Sequence, residues 1–259
     1  MKKILFAVFL CGLLMTGSAW AKTGSPAGKS LSFPELCEKG SIEQVEAALK
    51  EKKPTPEELI EGLYNAIEEE QNSRIVELIL DSGVDPNGYC EVERQRTDVV
   101  TGEKVSSKVK HCPFFSACTK RDWSYVDTFL KHGADPNLEL SQVYAGSYFF
   151  NCESTPFLVI AWTEATQHDD AIVARLIDAG ANINKVVGPY KMTAFATALQ
   201  YCRTNVICTF LAAGADVAQV IDGTPVTLFL TTNRHVPDGE KIALLQQITL
   251  MQILAQLKK

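Results

Sequence analysis

The sequence predicts an all-α chain of repeated helix pairs, an α-solenoid with elongated β-hairpin fingers. Three observations carry that prediction. A closing phrase recurs four times: Asp81-Ser-Gly-Val-Asp-Pro-Asn87, Lys131-His-Gly-Ala-Asp-Pro-Asn137, Asp178-Ala-Gly-Ala-Asn-Ile-Asn184 and Ala212-Ala-Gly-Ala-Asp-Val217. Each copy follows apolar residues in a pair-gap-pair pattern, such as Ile75, Val76, Ile79 and Leu80, which is one face of a helix. An opening phrase recurs as well, in Cys112-Pro-Phe-Phe-Ser-Ala117, Thr155-Pro-Phe-Leu-Val-Ile160, Thr193-Ala-Phe-Ala-Thr-Ala198 and Thr224-Pro-Val-Thr-Leu-Phe229.

Within each unit the residues have assignable roles. Thr caps a first helix and Pro suits its first turn. The second helix carries the pair-gap-pair face and stops at glycine, which takes the left-handed conformation without a Cβ penalty. The closing glycines are Gly83, Gly133, Gly180 and Gly214, separated by 50, 47 and 34 residues. Insertions in repeat arrays map to the loops of one face, so the longer separations read as enlarged fingers.

The phrases resemble the ankyrin repeat, with its Thr-Pro-Leu-His-x-Ala opening and Gly-Ala-Asp-x-Asn close. The unit from Cys112 to Asn137 matches that spacing without gaps, Cys112 standing for the Thr and Phe115 for the His. The resemblance covers roughly residues 31–230 and divides the chain into about six units. Unit one, Leu31 to Pro54, contains Leu36-Cys-Glu-Lys-Gly-Ser-Ile-Glu-Gln-Val45 and serves as an N-terminal cap. Unit two runs from Leu59 to Asn87 with a degenerate opening. Units three, four and five are Cys112–Asn137, Thr155–Asn184 and Thr193–Ala218, the fourth with extra residues near Gln167–Asp170. Unit six opens at Thr224 and ends in a helix near Gly239–Leu257. Its pattern of Ile242, Leu245, Ile248 and Leu250 suits a C-terminal cap.

Ahead of the repeats, Lys2 and Lys3 precede an apolar run from Ile4 to Met15 and the small-x-small exit Ala19-Trp20-Ala21. That is the layout of a secretory signal peptide cleaved after Ala21, placing the chain in the periplasm or outside the cell. Residues 1–21 are then signal, 22–30 a flexible mature N-terminus and 31–259 the repeat domain. No later segment reads as transmembrane. Net charge is −6 for the whole chain and about −8 without the signal, which disfavours nucleic acid and anionic lipid as partners.

Eight cysteines suit an exported chain, and loss of Cys11 leaves an odd number. Residues 90–112 read as a long hairpin with the loop Val100-Thr-Gly102. Paired positions then sum to 202, so Cys90 faces Cys112 and a disulfide between them is expected. Cys37 and Cys118 fall at core positions and read as buried thiols. Cys152, Cys202 and Cys208 leave a second bridge open, either Cys202–Cys208 or one using Cys152.

No catalytic, cofactor or metal site is expected. The four histidines, His111, His132, His168 and His235, show no ligand spacing, and His111 beside Cys112 reads as a strand-end histidine. Glu68-Glu-Glu70 and Asp169-Asp170 read as solvated turn charges. No Gly-x-Ser-x-Gly elbow or phosphate-binding glycine loop is present. The resemblance instead implies a monomeric protein-binding scaffold using a concave face and finger loops. Interface residue types put candidate contacts at Tyr144, Tyr148, Phe149, Phe150, Trp162 and Tyr190. Arg94 and Arg96, with Lys104, Lys108 and Lys110, form a basic ladder on the first finger. For the aromatic cluster, packing against a finger is an equal alternative, and Trp123 reads as a semi-buried structural residue. Two other functions stay open: an immunity or inhibitor protein that blocks a toxin or enzyme through the same surface, and a metal-dependent enzyme.

Overall fold

The computed structural model describes residues 31–71, 73–97, 104–120, 122–145, 148–150, 153–162, 169–188 and 191–257. The expected signal peptide, its cleavage after Ala21, and the residues Tyr190, Cys152 and His168 lie outside them. Twelve helices and six short strands occur among the described residues, so the protein is all-α in class.

The first two helices are α1 (Phe33–Lys39) and α2 (Ile42–Lys52), followed by α3 (Pro56–Glu68) and α4 (Ser73–Asp81). Capping boxes set three of their starts: Ser32 with Glu35, Ser41 with Gln44, and Thr55 with Glu58. In each, the hydroxyl accepts one otherwise unpaired amide and the carboxylate or amide oxygen accepts another. The start of α3 at Thr55-Pro56 lies ahead of Leu59, the expected start of unit two.

The remaining pairs are α5 (Pro113–Thr119) with α6 (Ser124–Lys131), α7 (Pro156–Trp162) with α8 (Asp169–Asp178), α9 (Ala194–Tyr201) with α10 (Thr204–Ala212), and α11 (Thr227–Thr232) with α12 (Asp238–Leu257). Thr193 caps α9 by accepting the Ala196 amide, and Thr155 accepts that of Leu158. Thr224 does not cap α11. It lies in a strand, and α11 begins three residues later.

First helices touch first helices in the order α1, α3, α5, α7, α9, α11, and second helices follow the order α2, α4, α6, α8, α10. The buried residues of each pair pack against one another and against the neighbouring pairs. Phe114, Phe115, Phe129, Phe195 and Phe210 are fully buried, each worth roughly 1.5–3 kcal/mol of transfer free energy. Cys37 and Cys118 are buried thiols.

The four closing glycines have φ of +87° to +89°. A Cβ added there would meet nothing within 4 Å, so backbone conformation alone demands glycine. After three of them the Ala134, Ala181 and Ala215 amides return to the carbonyls of Phe129, Leu176 and Phe210, ending each helix. The next residues form a ladder. Asn87 donates to the Gly133 carbonyl and accepts the Asp135 amide. Asn137 does the same with Gly180 and Asn182, and Asn184 with Gly214 and Asp216.

The connections hold strands β1 (Cys90–Thr97), β2 (Lys104–His111), β3 (Val143–Ala145), β4 (Tyr148–Phe150), β5 (Val220–Ile221) and β6 (Thr224–Pro225). The first four form one sheet in that order, with β2 and β3 parallel. The first finger pairs with positions summing to 201, one residue off the expected register: Cys90 faces His111, not Cys112. That register sets Val92 against Val109, Glu91 against Lys110 and Glu93 against Lys108. The alternative would set Val92 against Lys110 and Glu93 against the buried Val109. Cys112 leaves the strand to become the fully buried residue preceding α5. Both Cys90 and Cys112 are free thiols, so the expected disulfide is not formed. Cys208 is likewise a free thiol, and the Cys202 thiol donates to the Ala161 carbonyl, so those two are not bridged.

Candidate partner-binding face

The connections and the first helices lie beside one another along the chain, and most sequence-predicted contact residues fall there. Arg94 and Arg96 stand on β1 opposite Ser107 and Val105. Tyr144 is on β3 opposite Phe149 and beside His111 of β2, with Tyr148 and Phe150 on β4. The aromatic run is thus built into the sheet by its backbone. Trp162 closes α7. The side chains of these residues lie outside the described part.

The base of the first finger is anchored to α3. The His111 ring stacks on Tyr64 with centroids 4.2 Å apart, and His111 is only 6% exposed. Burial, not ligand spacing, accounts for this histidine. Among the described residues no group of three His, Cys, Asp or Glu side chains could hold a metal ion. Lys110 lies over the Tyr89 ring at 4.8 Å, and Lys108 approaches Glu91 at 3.8 Å, so part of the basic ladder is engaged along the strands. Burial pushes the Cys37 and Cys112 thiols up to about 12 and the Cys90 thiol to about 11, with Glu61 adding to the last.

First-helix ends are tied across units by side chains. Gln71 donates to the Glu38 carbonyl, Tyr125 to Gln71, and Lys120 to both the carbonyl and carboxylate of Glu68. Of the acidic run Glu68–Glu70, only Glu68 makes this tie, while Glu69 and Glu70 are exposed turn residues as expected. Asn233 donates to the carbonyls of Leu199 and Cys202 and accepts the amides of His235 and Val236. Trp123, expected to be semi-buried, is 40% exposed, and the Arg175 guanidinium of the next unit covers its ring at 3.8 Å.

The described site that sequence reading missed lies between α9, α11 and the β5–β6 turn. A hollow of about 340 Å³ is lined by Met192, Gln200, Tyr201, Ile221, Asp222, Thr224 and Phe229. A second, of about 320 Å³, shares Gln200 and Tyr201 and adds Thr232, Arg234 and His235. The first is mainly apolar and the second cationic. Arg234 is exposed and makes no ion pair among the described residues. The turn that walls the first hollow has φ of +47° at Asp222 and +78° at Gly223, the geometry a two-residue hairpin needs. Asp222-Gly223 between Val220-Ile221 and Thr224-Pro225 was the sequence signal for it.

No protein-family model matches the chain, and no curated protein is significantly similar to it.

Proposed function

We propose that the chain is an exported ankyrin-repeat solenoid that binds a protein partner through its fingers and first helices. The glycine turns, the asparagine ladder and the alternating helix neighbours support the repeat reading. The layout of residues 1–21 supports export. The observation that carries the binding reading is the pair of hollows that share Gln200 and Tyr201 in their walls. An apolar half bounded by Met192, Ile221 and Phe229 lies next to a half bearing Arg234, which makes no ion pair among the described residues. Concave, mainly apolar sites with a few placed polar groups suit ligand contact. An exposed cation at the edge of an apolar hollow suits an acidic or carboxylate-bearing stretch of a partner.

Affinity capture from native extract, read by mass spectrometry, tests this. Tagged protein is expected to retain a specific partner, and Arg234→Glu is expected to weaken retention at least ~10-fold. Arg234 is exposed, so the variant should keep its helical circular dichroism. Absence of any specific partner, or retention untouched by Arg234→Glu and by removal of the finger aromatics, would sink the proposal.

A further inference from the structure

The C-terminal helix has two apolar faces and the fold covers one. Of the pattern expected for a cap helix, Ile248 is buried and Leu245 half-buried, but Ile242 and Leu250 are exposed; Leu244 is the other buried residue. At 100° per residue, Ile242, Leu250, Ile253, Leu254 and Leu257 fall on the side opposite Leu244 and Ile248. They are 59, 57, 48, 48 and 77% exposed. A shallow groove of about 410 Å³ runs along this side, lined by Ile242, Leu245, Gln246, Thr249, Leu250 and Ile253. From Ile242 to Leu257 the helix carries no charged residue. A solvated helix face is polar or charged, whereas here the uncharged Gln246 and Thr249 stand among large exposed apolar side chains.

We infer that α12 pairs antiparallel with α12 of a second copy of this chain. Charge sets the direction. Asp238 and Glu240 open the helix, and Lys258 and Lys259 follow it in the sequence. Parallel pairing would bring like charges together, whereas antiparallel pairing sets acids beside lysines. A register with positions summing to 499 sets Ile242 against Leu257, Gln246 against Ile253 and Thr249 against Leu250. The five side chains expose on the order of 500 Å², at the upper end for an uncovered patch on a monomer. Two copies would bury on the order of 1,000 Å², the lower bound for a specific interface. A membrane surface fits less well, because the described helix offers acids at its start and only Lys241 as a base. The inference is independent of the partner-binding reading and revises the expected monomer.

Light scattering of the purified protein at ~50 μM tests it, with the N-terminus read by mass spectrometry. The expected mass is twice that of one chain. Leu250→Glu with Ile253→Glu should raise the dissociation constant at least ~100-fold, with unchanged circular dichroism because both side chains are exposed. In a Cys208→Ser background, Thr249→Cys should oxidise to a linked dimer and Ile242→Cys should not. A single-chain mass would overturn the inference, including one whose α12 is shielded by residues 1–30 or by a co-purified protein. So would a dimer indifferent to the double substitution, or cross-linking through Ile242→Cys in place of Thr249→Cys.

Discussion

His132 sits at a closing phrase and touches the preceding unit. Its Nδ1 donates to the Thr128 carbonyl at 2.8 Å and its Nε2 to the Asp81 carboxylate at 3.0 Å. Both partners can only accept, so the two bonds are made together only by the protonated ring. The Thr128 carbonyl, then the Asp81 carboxylate, hold its pKa above the ordinary 6.5. A folded value above the unfolded one stabilises fully below about 6.5 and loses that contribution as pH rises through the folded value. Urea unfolding of wild type and Asp81→Asn should therefore differ more at pH 5.5 than at pH 8.5. An equal difference at both would show that His132 does not carry the bond in its charged form. The thiols allow a second residue-scale check. Burial raises the pKa of Cys118 as well as those of Cys37 and Cys112, while Cys208 is only half-buried. The thiolate is the reactive species. Brief alkylation near pH 8, mapped by peptide mass, should label Cys208 before those three. Full labelling of Cys90 and Cys112 after unfolding without reductant is expected from the thiols seen here. Their joint protection would restore the disulfide.

Among the elements, the closing phrase carries the most structure per residue. Asp85, Asp135, Asn182 and Asp216 each accept the amide two residues on, while the asparagines of the first three phrases reach the next unit. Asn137→Ala removes two inter-unit hydrogen bonds and should cost about 1–2 kcal/mol, measured as a shift in denaturation midpoint at constant slope. A loss no larger than that at an exposed control site would mean water replaces the ladder. These elements were legible because periodicity and glycine spacing are local signals. The finger register was legible too, but in the pairing of Val92 with Val109 and of Glu91 with Lys110, not in a loop assigned from its tip. The strand at Thr224 was obscured because Thr-Pro also opens helices. The joining of β2 to β3 is non-local, and nothing in either segment alone announces it.

At the scale of the molecule, the order of helix pairs followed from counting phrases, while surface properties did not. Sequence periodicity finds an apolar face but cannot say whether the fold has a neighbour for it. Ile242 and Leu250 belong to the apolar pattern of the last helix, yet they stand exposed while Ile248 is buried. The hollows at Gln200 and Tyr201 were equally hidden, because residues from α9, α11 and two connections converge there only after folding.

The asparagine bridges span 46, 43 and 30 residues of sequence yet make the same two bonds each time. What lies between consecutive rungs, whether a long hairpin or a tight bend, leaves the step itself unaltered. The spine thus behaves like a rack with slots of one pitch, into which inserts of any length can be fitted. On the proposed binding role, contacts would change with the inserts while these bonds stay as they are.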